Sequence, residues 1–156
     1  MQETPLGDLT FAFTIRNQFV NAIATVEAAV DNKILMYSYQ RDFFKSAITN
    51  ARSSGVKSYV ISEKYDKGRM NAFLDLLLKH KVKVYKSNNA NEYIVPTEQP
   101  QYRMVQTMFE TYDTYQDSVY YDASAWSMAN AYNINYRATR GDTSMGSEVK
   151  MSDLQS

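Results

Sequence analysis

The stretch "YVISEKYDKGR", Tyr59 to Arg69, sets Ser62, Glu63, Lys64, Asp66 and Arg69 where a short apolar strand reads as turning into a helix. Open α/β sheets place their ligands at such carboxyl ends of strands, beside the first turn of the next helix. Glu63, Lys64 and Arg69 are the groups there that could grip a small polar ligand. The glycines that let a backbone approach a phosphate are missing, because Gly68 stands alone between Lys67 and Arg69. The same residues also read as a solvated turn with Asp66 capping the helix.

Other chemistries have fewer parts. A catalytic zinc takes three protein ligands, and the chain has one histidine, His80, set among Lys79, Lys81 and Lys83 at a helix end. There an imidazole reads as a surface residue near terminal carbonyls. A serine nucleophile wants a histidine base and a Gly-x-Ser-x-Gly elbow, and no such elbow occurs. With no cysteine there is no thiolate, disulfide or cysteine metal site. Glu110, Asp113 and Asp117 lie on a polar stretch and read as solvated. No catalytic residue, metal ligand or cofactor is therefore expected in this chain. The aromatic run Tyr112, Tyr115, Tyr120, Tyr121, Trp126 and Tyr132, in a chain with 13 tyrosines, reads mainly as packing. Its functional alternative is a tyrosine-lined contact surface that includes Tyr121 and Trp126.

The elements that would position these groups follow from periodicity. From Phe13 to about Ala51 apolar residues recur three or four apart, including Phe19, Ile23, Val26, Val30, Ile34, Tyr37, Phe44 and Ile48, which predicts one long helix. It should bend or break at "VDNK", residues 30–33, where Asp31 and Asn32 compete for backbone hydrogen bonds. Gly55 supplies the stop. "VKSYVIS" (56–62) and "VKVYKS" (82–87) read as strands around a helix capped by Asp66, with Met70, Phe73, Leu74, Leu77 and Leu78 on its buried stripe. Strand, helix and strand in about thirty residues predict a parallel βαβ unit. "EYIVP" (92–96) follows as a hairpin partner, then a helix from Pro100 to about Thr111 with Tyr102, Val105, Met108, Phe109 and Tyr112 inward. A short helix through "AWSMANAY" and a weak strand "INYRATR" complete the pattern, and residues 141–156 read as a mobile tail or one that docks only with help.

At 156 residues this is about one domain, able to bury roughly 68–70% of its unfolded surface. Lys plus Arg and Asp plus Glu both number 17, so no net field favours nucleic acid as a partner. No apolar run approaches the roughly 18 residues of a membrane span. "MQETPLGD" has no signal-peptide pattern and reads as a sequence entered partway, behind an added Met.

Taken together, "ETPLGDLTFAFTIRNQFVNAIATVEAAV" is similar to the end of the catalytic domain, and the helix leaving it, in large bacterial zinc carboxypeptidase-like proteins of the carboxypeptidase A family. "YVIS", "FLDLLLKHKVKVYK", "VPTEQPQYRMVQTMFE" and "YDASAWSMANAYNI" resemble the domain that follows, which is similar in fold to class I glutamine amidotransferases. The resemblance covers roughly Glu3 to Ile134. It implies an α/β, flavodoxin-like or glutamine amidotransferase-like three-layer sandwich with a small, mixed, mostly parallel sheet behind a long N-terminal helix. It divides the chain into a helical lead-out (1–54), an accessory domain (55–140) and a tail (141–156). The peptidase zinc site is His-x-x-Glu with a second His, and the amidotransferase site is Cys, His and Glu. Neither set is present here, so zinc is expected only in the peptidase domain.

The resulting expectation is a non-catalytic scaffold or interaction domain of an exported, periplasmic or extracellular, metallocarboxypeptidase-like parent. Its partner would be the peptidase domain of the same chain, met through Phe19, Ile23, Val26 and Val30, with homo-oligomers through that helix as a further expectation. The alternative is a stand-alone ligand-binding module using the carboxyl edge of the sheet.

Overall fold

The computed structural model describes residues 2–5, 7–110, 127–141 and 143–154, and the chain forms two compact units, Met1–Phe43 and Phe44–Ser156. In the first, β1 (Gln2–Thr4) and β2 (Gly7–Leu9) make an antiparallel hairpin. Its turn needs Gly7, whose φ of +113° suits a residue without Cβ. Thr10 then caps α1 (Phe11–Asp31), its Oγ1 accepting the Phe13 N–H at 3.2 Å. Asn32 interrupts the helix: its Nδ2 donates to the Ala28 carbonyl at 2.9 Å, a local bond of the kind that competes with helical geometry. Its own carbonyl still accepts from Met36 N–H at 2.9 Å, so α2 (Lys33–Ser53) starts at once. The unit boundary falls inside α2.

The second unit holds the last turns of α2, then β3 (Ser58–Ser62), α3 (Lys67–Lys79), β4 (Tyr85–Lys86), β5 (Glu92–Pro96), α4 (Tyr102–Phe109), α5 (Met128–Ala131), β6 (Asn135–Thr139) and a closing 3₁₀ turn (Met151–Leu154). The sheet runs β4-β5-β3-β6 and every pairing in it is antiparallel. This corrects the expected mostly parallel, flavodoxin-like or glutamine amidotransferase-like three-layer sandwich. β3 and β4 do run in the same direction, but β5 lies between them. Among the described residues, and leaving aside the one-turn α5, the succession is βαββαβ with a strand inserted into the first βαβ unit, the split βαβ, ferredoxin-like arrangement.

The cause is local. The turn after β4 closes at once, with Ser87 N–H on the Glu92 carbonyl at 3.1 Å and Asn91 at φ +62°, so β5 folds straight back on β4. Its free edge then pairs with β3, in register from Ser58 opposite Pro96 to Ser62 opposite Glu92. α3 and α4 pack on one face. Phe109 of α4 stacks on Tyr59 at 4.6 Å, meets Phe73 of α3 edge-on at 5.8 Å, and lies 5.5 Å from Tyr136 of β6. Ile61, Met70, Leu74, Leu77, Val82, Val84, Val95 and Val105 belong to the same core. A buried side chain of this size contributes about 1.5–3 kcal/mol.

Residues 146–149 extend the sheet beyond β4. Gly146 N–H donates to the Lys86 carbonyl (2.8 Å), Lys86 N–H to Ser147 (2.9 Å) and Val149 N–H to Val84 (2.8 Å). A Cβ on Gly146 would sit 2.9 Å from the Lys86 carbonyl oxygen, so this close approach requires glycine. The pairing covers an edge that would otherwise expose unpaired amides, and Val149 joins the core.

Candidate functional site

At the β3–α3 junction the backbone turns sharply and leaves the amides of residues 65, 66 and 69 without helical partners. Side chains supply them. Asp66 caps α3, its Oδ1 accepting the Arg69 N–H at 2.9 Å. Glu63 Oε1 accepts the N–H groups of Tyr65 (2.9 Å) and Asp66 (3.1 Å), and Oε2 accepts from the Arg69 guanidinium. Only 3% of the Glu63 side chain is exposed. The two backbone N–H donors, with the Arg69 hydrogen bond next, hold the Glu63 carboxyl down at about 2. Lys64 stands apart from the pair, its Nζ 5.2 Å from the centre of the exposed Tyr65 ring.

The structure thus brings Glu63 and Arg69 together and joins them to each other, and leaves Lys64 outside that pair. A carboxylate held this way accepts protons poorly and fixes the turn. Beside it lies a hollow of about 200 Å³ bordered by Glu63, Lys67, Asn71, Asn91, Tyr93 and Asp153. The chain matches no known protein family, no curated protein and no solved structure.

Because the Glu63 carboxyl titrates near 2 in the folded chain against an ordinary value of 4.5, the unfolded state binds its proton first on acidification. The stabilisation is present above the ordinary value and fades as pH falls towards 2. Glu63→Gln is expected to lower stability at neutral pH and to shrink the difference from the parent protein between about pH 4.5 and pH 2. Urea melts over that range check it. A constant difference at every pH would show that the charge is immaterial.

The proposed contact residues lie on α1. Phe19 is 65% exposed, Ile23 43%, Val26 64% and Val30 61%, and no residue of α1 is buried. The exposed apolar surface continues in Ile34, Leu35, Met36, Tyr37 and Tyr39 of α2. Tyr121 and Trp126, with Tyr112, Tyr115, Tyr120, Asp113 and Asp117, lie outside the described residues. His80 is the C-cap of α3, its backbone N–H bonded to the Leu76 carbonyl. Among the described residues no helix is long and apolar enough to cross a membrane.

Two features escaped the sequence reading. Gln99 is a buried glutamine whose amide pairs with both backbone groups of Lys83. A cavity on the sheet face away from the helices is framed by Lys57 and Glu98. Residue type gives no signal for either, because each depends on contacts between segments distant along the chain.

Proposed function

We propose that the chain is a non-catalytic accessory domain of a zinc carboxypeptidase-like protein, and that the apolar face of α1 is where it docks on the peptidase domain. The observation that carries this reading is the exposure of Phe19, Ile23, Val26 and Val30 on a 21-residue helix with no buried residue. Apolar patches of this extent mark surfaces that other protein covers. The peptidase-like sequence of residues 3–30 supplies the identity of the partner, and an exported parent comes with the same resemblance. The chain's single histidine and lack of cysteine leave the hydrolytic chemistry to that partner.

Phe19→Asp combined with Val26→Asp tests the docking. Exposed positions tolerate substitution within about 0.5 kcal/mol, so the melt of the isolated chain should barely move. Affinity for the zinc carboxypeptidase-like domain should fall by about a hundredfold or more, since two central apolar contacts are lost. A thermal melt reads the first quantity, and calorimetric titration of one domain with the other reads the second. Unchanged association would sink the docking surface. A reading frame upstream of Met1 without His-x-x-Glu and a second His would sink the peptidase assignment while leaving the surface standing.

A further inference from the structure

The back face of the sheet carries Ser58 and Val60 of β3 and Ile94 and Pro96 of β5, all pointing away from α3 and α4. In a two-layer sandwich such a face is open to water, yet Ser58, Val60 and Ile94 are buried. The chain after β6 helps to close it. Thr143 is tied down by hydroxyl bonds from its Oγ1 to Ser58 Oγ (3.0 Å) and Thr139 Oγ1 (3.3 Å), and Met145 follows. Under this segment remains a cavity of about 380 Å³, within the range of small-molecule sites.

Its walls divide by chemistry. Tyr85, Pro96 and Met145 make an apolar side, and Lys57 and Glu98 place opposite charges on the same rim. Neither charge is fully used. Lys57 Nζ donates one hydrogen bond, to the Arg52 carbonyl at 2.8 Å, which leaves two of its N–H groups. Glu98 takes the Arg52 Nε–H on Oε1 at 2.7 Å, and its Oε2 has no partner among the described residues. Arg52 thereby bonds to both groups while leaving an ammonium and a carboxylate oxygen to offer.

We propose that this cavity binds a free α-amino acid with an apolar side chain. The ligand carboxylate meets Lys57 Nζ, its ammonium meets Glu98 Oε2, and its side chain lies against Tyr85, Pro96 and Met145. A simple anion would leave Glu98 facing it, and a simple cation would face Lys57, so only a species carrying both charges satisfies the rim. The site lies entirely within the Phe44–Ser156 unit, on groups separate from the α1 face, and does not depend on what that face docks against.

The test is titration of the full chain with L-leucine, followed by amide chemical shifts and by calorimetry. Saturable binding is expected, with shifts concentrated at Ser58, Gly141, Thr143 and Met145. Leucinamide, N-acetyl-leucine and isovalerate each lack one charge and should bind about tenfold more weakly. Lys57→Gln and Glu98→Gln keep a hydrogen bond to Arg52, and each should weaken leucine by a similar factor without changing the melt of the unliganded protein. No leucine binding at millimolar concentration to folded protein would overturn the proposal. So would binding that neither substitution alters, or isovalerate binding as tightly as leucine.

Discussion

Phe73→Ala is expected to destabilise the Phe44–Ser156 unit by about 3–5 kcal/mol. Phe73 is completely buried at the centre of α3, between Phe109 edge-on at 5.8 Å and Tyr132 at 5.4 Å. Truncation removes the transfer free energy of the ring and opens a void that these rings cannot fill, since Phe109 is itself fixed by its stack on Tyr59 at 4.6 Å. A domain of ordinary stability, about 5–15 kcal/mol, would lose a large share of it. Urea unfolding gives the value, and Phe73→Leu should lose less because it leaves a smaller void. A loss below about 1 kcal/mol, the size of an average substitution, would mean that the ring is not the keystone between the two helices. Loss of the Glu63 contribution, by contrast, should be felt mainly as a change in pH dependence, since that carboxylate holds a turn and not the core.

The helical part of this core was legible because one helix face repeats within a few residues. Met70, Phe73, Leu74 and Leu77 on α3, and Val105, Met108 and Phe109 on α4, stand out by spacing alone and are buried in it, whereas Tyr102 is buried with Ala47 and Ala51, and Leu78 of the expected stripe is half-buried. The β positions were legible as strands for similar reasons. Their partners were not, because pairing joins residues far apart: Ser58 meets Thr139, 81 positions away. A strand, a helix and a strand look the same in sequence whether the two strands touch or admit a third between them. Here the distinction rested on the hairpin after β4, which a parallel-sheet reading treats as an appendage. The polar residues Ser58 and Ser62 at alternate positions of β3 were the available hint that only one face packs on helices. Val60 between them obscures it, because the chain after β6 helps to bury the other face as well.

The junction at Glu63 and Arg69 shows the same limit on a smaller scale. Residue type identified three charged groups, Glu63, Lys64 and Arg69, at a strand end, a common position for ligand contacts. It could not show that the turn into α3 brings Glu63 and Arg69 together, so that the carboxylate is occupied by Arg69 and two backbone amides before any ligand arrives. By contrast, Lys57 and Glu98 looked unremarkable along the chain and acquire a shared rim only through the β3–β5 pairing, which sets Ser58 beside Pro96.

Gln99→Leu should remove on the order of 3 kcal/mol of stability with almost no change in side-chain volume. Gln99 is 2% exposed, and its amide works as an added strand partner. Oε1 accepts the Lys83 N–H at 2.7 Å, while Nε2 donates to the Lys83 carbonyl at 3.3 Å and to the Pro96 carbonyl at 2.6 Å. Among the described residues no strand pairing includes Lys83, because β4 begins at Tyr85. Leucine fills the space but leaves the Lys83 N–H and the Lys83 and Pro96 carbonyls, all in part-buried bonds here, without these partners, at about 1–3 kcal/mol for each group left unsatisfied away from water, partly relieved by relaxation and by solvent. Gln99→Glu separates polarity from shape. Its ionised carboxylate would still accept from Lys83 N–H but would face two carbonyl oxygens, so burial and repulsion should raise its folded-state pKa above the unfolded value. Stability relative to the parent protein should then be highest in acid and fall as pH rises through the ordinary glutamate range. That slope runs opposite to the one expected from Glu63. A pH-independent loss in Gln99→Glu, equal to that in Gln99→Leu, would show that Gln99 acts by filling space and that Lys83 finds its partners elsewhere.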